Sequence, residues 1–231
     1  MAQPVQQRLA ERGRQRGLAL PPEALAQLER YVQLLLQWRR YLDLTGLRDA
    51  ERLVDVLIAE SLDFLRPELL PSATRLLDLG SGAGIPGIPL AICAPQVEVT
   101  LLERAEKKIA FLERAVAVLQ LRNCRPCWAQ AEALARRLPP AQRFDVVVAR
   151  GVGPVVRLLT LAAPLLRPGG KLVLRKPCAT PELAEAAPRL KPPAWQGLEA
   201  WPLPASPGWQ LLAITRGGAP ESDCDVRHDA L

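Results

Sequence analysis

The sequence predicts an α/β fold: a doubly wound, open, mainly parallel sheet that ends in an antiparallel hairpin, behind an N-terminal helical cap. Three observations carry it. From Arg75 onward, short apolar runs alternate with helical segments: "LLDL" (76–79), "VEVTLLE" (97–103), "CRPCWA" (124–129), "FDVVVAR" (144–150) and "KLVLRK" (171–176). Continuous apolar runs of that length suit parallel strands covered on both faces. The first run leads into a glycine-rich turn, "GSGAGIPG", and then an apolar helix, the usual start of such a sheet. The last two runs, "LEAWPLPA" and "WQLLAITR", are joined through "SPG", which predicts a hairpin.

Before Arg75 the period is helical. From Pro22, "EALAQLERYVQLLLQW" places Leu25, Leu28, Val32, Leu35 and Leu36 on one face. After the turn "TGLR", "DAERLVDVLIAESLDFL" repeats the pattern, with Asp49 as N-cap. Residues 1–72 therefore read as a cap of two or three helices. Residues 73–216 read as the sheet domain, with "AEKKIAFLERAVAVLQL" and "PVVRLLTLAAPLL" as helices between strands. Residues 217–231, "GGAPESDCDVRHDAL" from Gly217, read as a polar, disordered tail.

Bulk properties exclude several classes. Of 231 residues, 49% are hydrophobic and 23% charged, an ordinary balance for a globular protein. No apolar run approaches the ~18–20 residues of a membrane span, and the N-terminus lacks an apolar signal segment, so the expected location is the cytoplasm. Arg8, Arg12, Arg14 and Arg16 read as a basic first helix or arm rather than a transit peptide. Lysines and arginines number 30 against 24 acids, and the net charge of +6 is compatible with a phosphate-rich partner without requiring one. Five cysteines, an odd count, argue against a disulfide framework. Cys124 and Cys127 form C-x-x-C but lack two further ligands, so no metal site is expected and they read as thiols on a core strand.

The glycine turn fits two ligands. Gly80, Gly82 and Gly84 give the G-x-G-x-G of a methyl-donor site, while Gly82, Gly84 and Gly87 give the G-x-G-x-x-G dinucleotide fingerprint. Either ligand wants an acid near the end of the second strand for ribose hydroxyls, and Glu103 meets that demand. Three details separate them. Asp78, inside the first strand, adds an anion where a pyrophosphate needs amide donors, but suits a ligand with an ammonium and a sulfonium. Pro86 and Pro89 remove amides from the same loop. The hairpin after "LLRPGGKLVL" is an ending typical of methyltransferases. The reading is S-adenosylmethionine on a class I methyltransferase sheet, with Asp78, Gly80, Gly82 and Glu103 at the donor.

The acceptor is constrained by what is missing. The fourth strand is followed by "ARGVGP", not by the Asn/Asp-Pro-Pro-aromatic turn used on exocyclic amines; "KPPAW" (191–195) comes too late. A thiolate for pyrimidine C5 would have to come from Pro126-Cys127 or Pro177-Cys178, neither after the fourth strand. The sole histidine, His228, is in the tail. Guanine N7 has a free lone pair and loses no proton on methylation, so a site poor in bases can serve it.

The blocks "YVQLLLQWRRYLDLTGLRD", "LLDLGSGAGIPGIPLAI", "LLERAEKKIAFLERA", "AEAL" and "VVVARGVGPV" occur in that order. Together they closely resemble the glucose-inhibited-division-B family, the bacterial 16S ribosomal RNA guanine-N7 methyltransferases, over roughly residues 18–215. The resemblance implies methylation of a guanine in the 530 loop, with the 16S RNA or small ribosomal subunit as partner. It also implies donor contacts from Gly80, Ile85, Glu103, Ala131, Glu132 and Arg150, and a lysine, Lys176, for an RNA phosphate. Arg150 corresponds to the arginine beside donor and substrate and is the catalytic candidate; at a strand's carboxyl end it is expected to point into the cleft. Nothing in the sequence demands an oligomer, and a monomer is expected. The chain departs from the family at Asp43, where an Asn is usual, and at "IAESLDF", where a His-x-x-Asp-Ser element is usual. It also has Lys176-Pro177 for Lys-Gly, "ARG" for "SRA", and an acidic tail for a basic one. These changes leave open a methyltransferase for another RNA or a small molecule, or a non-catalytic RNA-binding relative.

Overall fold

The computed structural model describes residues 3–71, 74–191 and 193–218. The tail read as disordered lies, from residue 219 on, outside the described residues. Helix α1 (Val5–Arg14) packs against α2 (Pro22–Trp38), whose Pro22 occupies a first-turn position that needs no amide. Leu28, Tyr31, Val32 and Leu35 of α2 are fully buried. The third helical stretch is not uniform. It runs as α3 (Ala50–Arg52), a π-helical segment Leu53–Ile58, and α4 (Ala59–Leu62). Asp49 caps it, its carboxylate accepting the Arg52 N–H at 2.7 Å. The amphipathic pattern anticipated the helix and its cap but not the wider turn, because burial of Leu53, Val54, Leu57 and Ile58 fits either winding.

Seven strands form one sheet among the described residues. These are β1 (Arg75–Leu79), β2 (Glu98–Glu103), β3 (Cys124–Trp128), β4 (Phe144–Ala149), β5 (Leu166–Pro177), β6 (Trp195–Pro202) and β7 (Trp209–Arg216). Their order is β3-β2-β1-β4-β5-β7-β6, with β7 antiparallel to both its neighbours and the other pairs parallel. Strand β5 begins earlier than the apolar run suggested, because Leu166 pairs with Phe144 before a register shift to Lys171↔Val146.

Helices α5 (Gly87–Cys93) and α6 (Glu106–Leu119) cover one face of the sheet. Helices α7 (Ala131–Arg137) and α8 (Val155–Ala162) cover the other, and α9 (Glu182–Ala186) packs on α8. Leu28 and Tyr31 of the cap share one hydrophobic cluster with Ile88 and Phe111, so the cap completes the layer over α5 and α6. No helix among the described residues is long and apolar enough to cross a membrane.

The two thiols of the C-x-x-C motif fall on opposite sides of β3. Cys124 belongs to the cluster under α5 and α6, whereas Cys127 packs on the cluster under α7 and α8. Three residues apart on a strand, they face away from each other and cannot share a metal or a disulfide. Burial pushes the Cys124 thiol up to about 12.

Polar contacts join cap to sheet. Arg16 after α1 bonds Asp63 at 2.8 Å, and Asp63 also receives Arg175 of β5 at 2.9 Å. Arg175 reaches Glu60 of α4 at 3.3 Å, and Glu60 binds Arg150, the residue after β4, at 2.8 Å. The Arg175 side chain is 5% exposed and that of Asp63 1%, and the Arg175 guanidinium lies 4.3 Å from the Trp209 ring centre. By contrast, Arg8 and Arg12 of α1 bind Asp55 at the surface and hold its carboxyl down at about 2. The basic start of the chain is thus partly neutralised by the cap itself.

Removing one partner from a buried ion pair strands the other. Asp63→Ala is expected to cost about 3–5 kcal/mol in urea denaturation, and Asp55→Ala about 1 kcal/mol or less. Equal losses at the two sites would contradict this description.

Candidate functional site

The strand order reverses between β2-β1 and β4-β5, so the carboxyl ends of β1 and β4 diverge into a crevice. A cleft of about 290 Å³ opens there, lined by Gly80 after β1, Glu103 and Arg104 after β2, Ala131 and Glu132 at the start of α7, and Val152 after β4. Gly80 has a φ of +72°, and a Cβ on it would stand 2.9 Å from Val152 Cγ2. Only glycine allows the two loops this close.

Beneath the cleft wall most of the loop's amides are already engaged. The Gly80 and Ser81 amides bond the Leu102 carbonyl, both at 2.9 Å, and those of Gly84 and Ile85 bond the Ser81 carbonyl. The Gly82 amide donates to Glu103 Oε2 at 2.9 Å, while Glu103 Oε1 accepts from Arg104 and Ala105. At α5, the Gly87 amide is taken by Asp78, that of Ile88 by Gly84, and Pro89 has none. A dinucleotide pyrophosphate needs free amides at this helix start. Here they are spent, which removes the second reading of the glycine spacing on physical grounds.

Asp78 is fully buried. Its Oδ2 accepts from Gly87 at 3.0 Å, and a Cβ on Gly87 would come within 2.7 Å of that oxygen and 2.3 Å of Leu101 Cδ2. Its Oδ1 has no hydrogen-bond partner. Burial is the main cause that pushes the carboxyl up to about 7, opposed by the Gly87 amide and aided by the Glu103 charge. Such an orphaned, reluctant anion fits a site that receives a cationic group.

The residues singled out from the sequence divide into three sets. Gly80, Glu103, Ala131 and Glu132 line one cleft. Asp78, Gly82 and Ile85 stand behind it in the loop's own bonding; Ile85 is buried. Arg150 and Lys176 are engaged elsewhere. Arg150 was expected to point into the cleft, but its guanidinium turns to Glu60 and to the Val56 carbonyl at 3.3 Å, drawn by the cap's carboxylate. Lys176 Nζ binds Glu182 of α9 at 2.6 Å, and the same carboxylate oxygen accepts the first amide of α8, from Val155, at 3.2 Å. Sequence reasoning missed Glu60, Asp63 and Arg175. Two acids i+3 apart in "ESLD", with "LRK" near the end of the fifth strand, carried only the bland signal of surface charges.

The chain matches the family "rRNA small subunit methyltransferase G" (GidB) over residues 24–191. It belongs to that family. It is 36% identical over 180 residues to a "Ribosomal RNA small subunit methyltransferase G" of Moorella thermoacetica, covering 78% of this chain and 75% of the relative. A protein of the same name from Xanthomonas axonopodis pv. citri is 37% identical over 210 residues, covering 90% of this chain and 93% of its own. Among solved structures, a precorrin-6y C5,15-methyltransferase of Geobacter metallireducens superposes with a TM-score of 0.50 at 18% identity, over 76% of this chain and 91% of that one. TrmN of Thermus thermophilus also gives 0.50, at 22% identity, over 70% and 49%. These two speak for the fold, the class I methyltransferase sheet read from the sequence. As a methyltransferase G family member, the chain is a methyltransferase whose donor is S-adenosylmethionine.

The raised Asp78 carboxyl has a definite sign. Its folded value lies above the unfolded one, so the folded state holds an extra proton between about pH 4 and 7, and stability falls as pH rises through that window. Asp78→Asn is expected to raise the midpoint of thermal unfolding at pH 8 and leave it nearly unchanged at pH 4. A midpoint lowered at pH 8 would show that the carboxylate is structurally required.

Proposed function

We propose that this protein transfers the methyl group of S-adenosylmethionine to N7 of a guanine in the 530 loop of 16S ribosomal RNA, acting on the small subunit as a cytoplasmic monomer. The observation that carries the reading is family membership over most of the chain, joined to a cleft at the topological switch point with an orphaned carboxylate beside it. The donor supplies an activated methyl on a sulfonium, and the acceptor nitrogen supplies its own lone pair. The protein's work is therefore alignment and charge.

In this reading Gly80, Ala131 and Glu132 shape the cleft, and Glu103 offers its carboxylate to ribose hydroxyls while its amide bonds hold it in place. Asp78, Gly82 and Ile85 fix the loop, and the free Asp78 oxygen favours a cationic group nearby. Arg150 acts at the boundary of donor and substrate, and Lys176 takes an RNA phosphate in exchange for Glu182. No residue needs to remove a proton, because N7 methylation releases none.

The test is methyl transfer to small-subunit particles that lack the modification, followed by mapping of N7-methylguanine. Wild type is expected to restore a single site, and Arg150→Ala to lower kcat by about 100-fold, the scale of losing one preorganised charged donor. Absence of N7-methylguanine in the wild-type reaction would sink the proposal. Donor affinity is expected to rise from pH 6 to pH 8 as Asp78 ionises, and a flat calorimetric profile would remove Asp78 from the donor site.

A further inference from the structure

Trp128 ends β3, the outermost strand on its side of the sheet. It is 61% exposed and belongs to neither hydrophobic cluster. Burial does not account for it. Its indole N–H donates to the Arg104 carbonyl at 3.1 Å, which pins the ring beside the residue that follows Glu103. The next residues, Ala129 to Glu132, line the donor cleft, whereas Trp128 does not.

Charge around this edge is one-sided. Between Arg104 and Arg137 the chain carries eight Lys and Arg against Glu106, Glu113 and Glu132, an excess of five out of the whole protein's net +6. Among the described residues none of those eight forms an ion pair, while α1 has most of its cations paired. Arg104, whose carbonyl holds the indole, is exposed beside the ring, and the exposed Arg125 lies earlier on the same strand as Trp128, on its other face. The most exposed aromatic, Tyr41 at 81%, follows α2, whose last residue Trp38 packs edge-on against Phe111 in the first half of α6. Trp128 itself stands near the start of α6, which opens directly after the Glu103 turn.

We infer that Trp128 is a stacking platform for an unpaired RNA base that flanks the methylated one, seated on a cationic edge that follows the phosphates. The inference rests on the proposed RNA substrate and adds how that substrate is held. An anchored indole whose N–H is already used offers only its π-face, and a π-face accepts any base. Free guanidiniums and ammoniums on the same edge match a polyanion rather than a protein or a small neutral ligand. Fixing the ring in advance lowers the ordering cost of stacking.

The test measures binding of a fluorescein-labelled RNA hairpin carrying the 530 loop by anisotropy at low salt, in parallel with calorimetry of S-adenosylhomocysteine. Trp128→Ala is expected to weaken RNA binding by about 5- to 150-fold, the range for one lost base stack. Trp128→Phe is expected to stay within about threefold of wild type, and both variants to keep product affinity, since stacking needs a ring and not an indole. RNA affinity unchanged in Trp128→Ala overturns the inference. So does a loss of S-adenosylhomocysteine affinity without a loss of RNA affinity, which would assign the ring to the donor. If RNA binding depends on Trp128 while wild type makes no N7-methylguanine, the platform stands and only the acceptor reading falls.

Discussion

Between the cap and the carboxyl ends of β4 and β5, three guanidiniums and two carboxylates alternate in file: Arg16, Asp63, Arg175, Glu60, Arg150. No member can leave without exposing its neighbour's charge to a medium that solvates it poorly. The apolar contacts of α2 hold the cap on the sheet, but they are non-directional. The ionic file sets where it sits. It also explains why Arg150 departs from the cleft: burial lowers the guanidinium's affinity for its proton, and Glu60 is the charge that compensates. The Glu60 carboxyl in turn is pushed up by its own burial, against the pull of Arg150 and Arg175. The position of the cap and the availability of Arg150 are therefore one variable.

The donor loop shows the same economy in its amides. Between Gly80 and Leu90 nearly every N–H is bonded within the loop or to Glu103 and Asp78, and two positions are proline. What remains unpaired is an acceptor, Asp78 Oδ1. A loop whose amides are mostly spent, with an unpaired carboxylate oxygen buried behind it, is a poor receptor for a further anion. That polarity separates a sulfonium ligand from a pyrophosphate more sharply than the spacing of glycines can.

Much of this was legible in the sequence, for identifiable reasons. Buried strands such as β1, β2 and β4 leave continuous apolar runs and so were visible, and the hairpin of β6 and β7, though not its register, followed from the short "SPG" connection. Pro86 and Pro89 were readable because each acts through its own backbone, which lacks an amide N–H. The ion file was not legible. Asp63 and Arg175 are 112 residues apart, and one sequence carries no sign that they meet. For the same reason Arg150 could be placed at the end of a strand but not aimed. The π-helical stretch escaped because its buried residues satisfy both windings.

Strand β3 has one more property. It forms an open border of the sheet, yet Pro126 sits at its middle in register with Leu101. A proline can stand in a paired strand only with its nitrogen turned outward, where it interrupts the row of donors a foreign strand would need. The exposed Arg125 beside it adds repulsion toward a second copy of the same border. The same border that carries exposed cations is thus also guarded against accretion of other polypeptides, so an open sheet edge here does not become a template for self-aggregation.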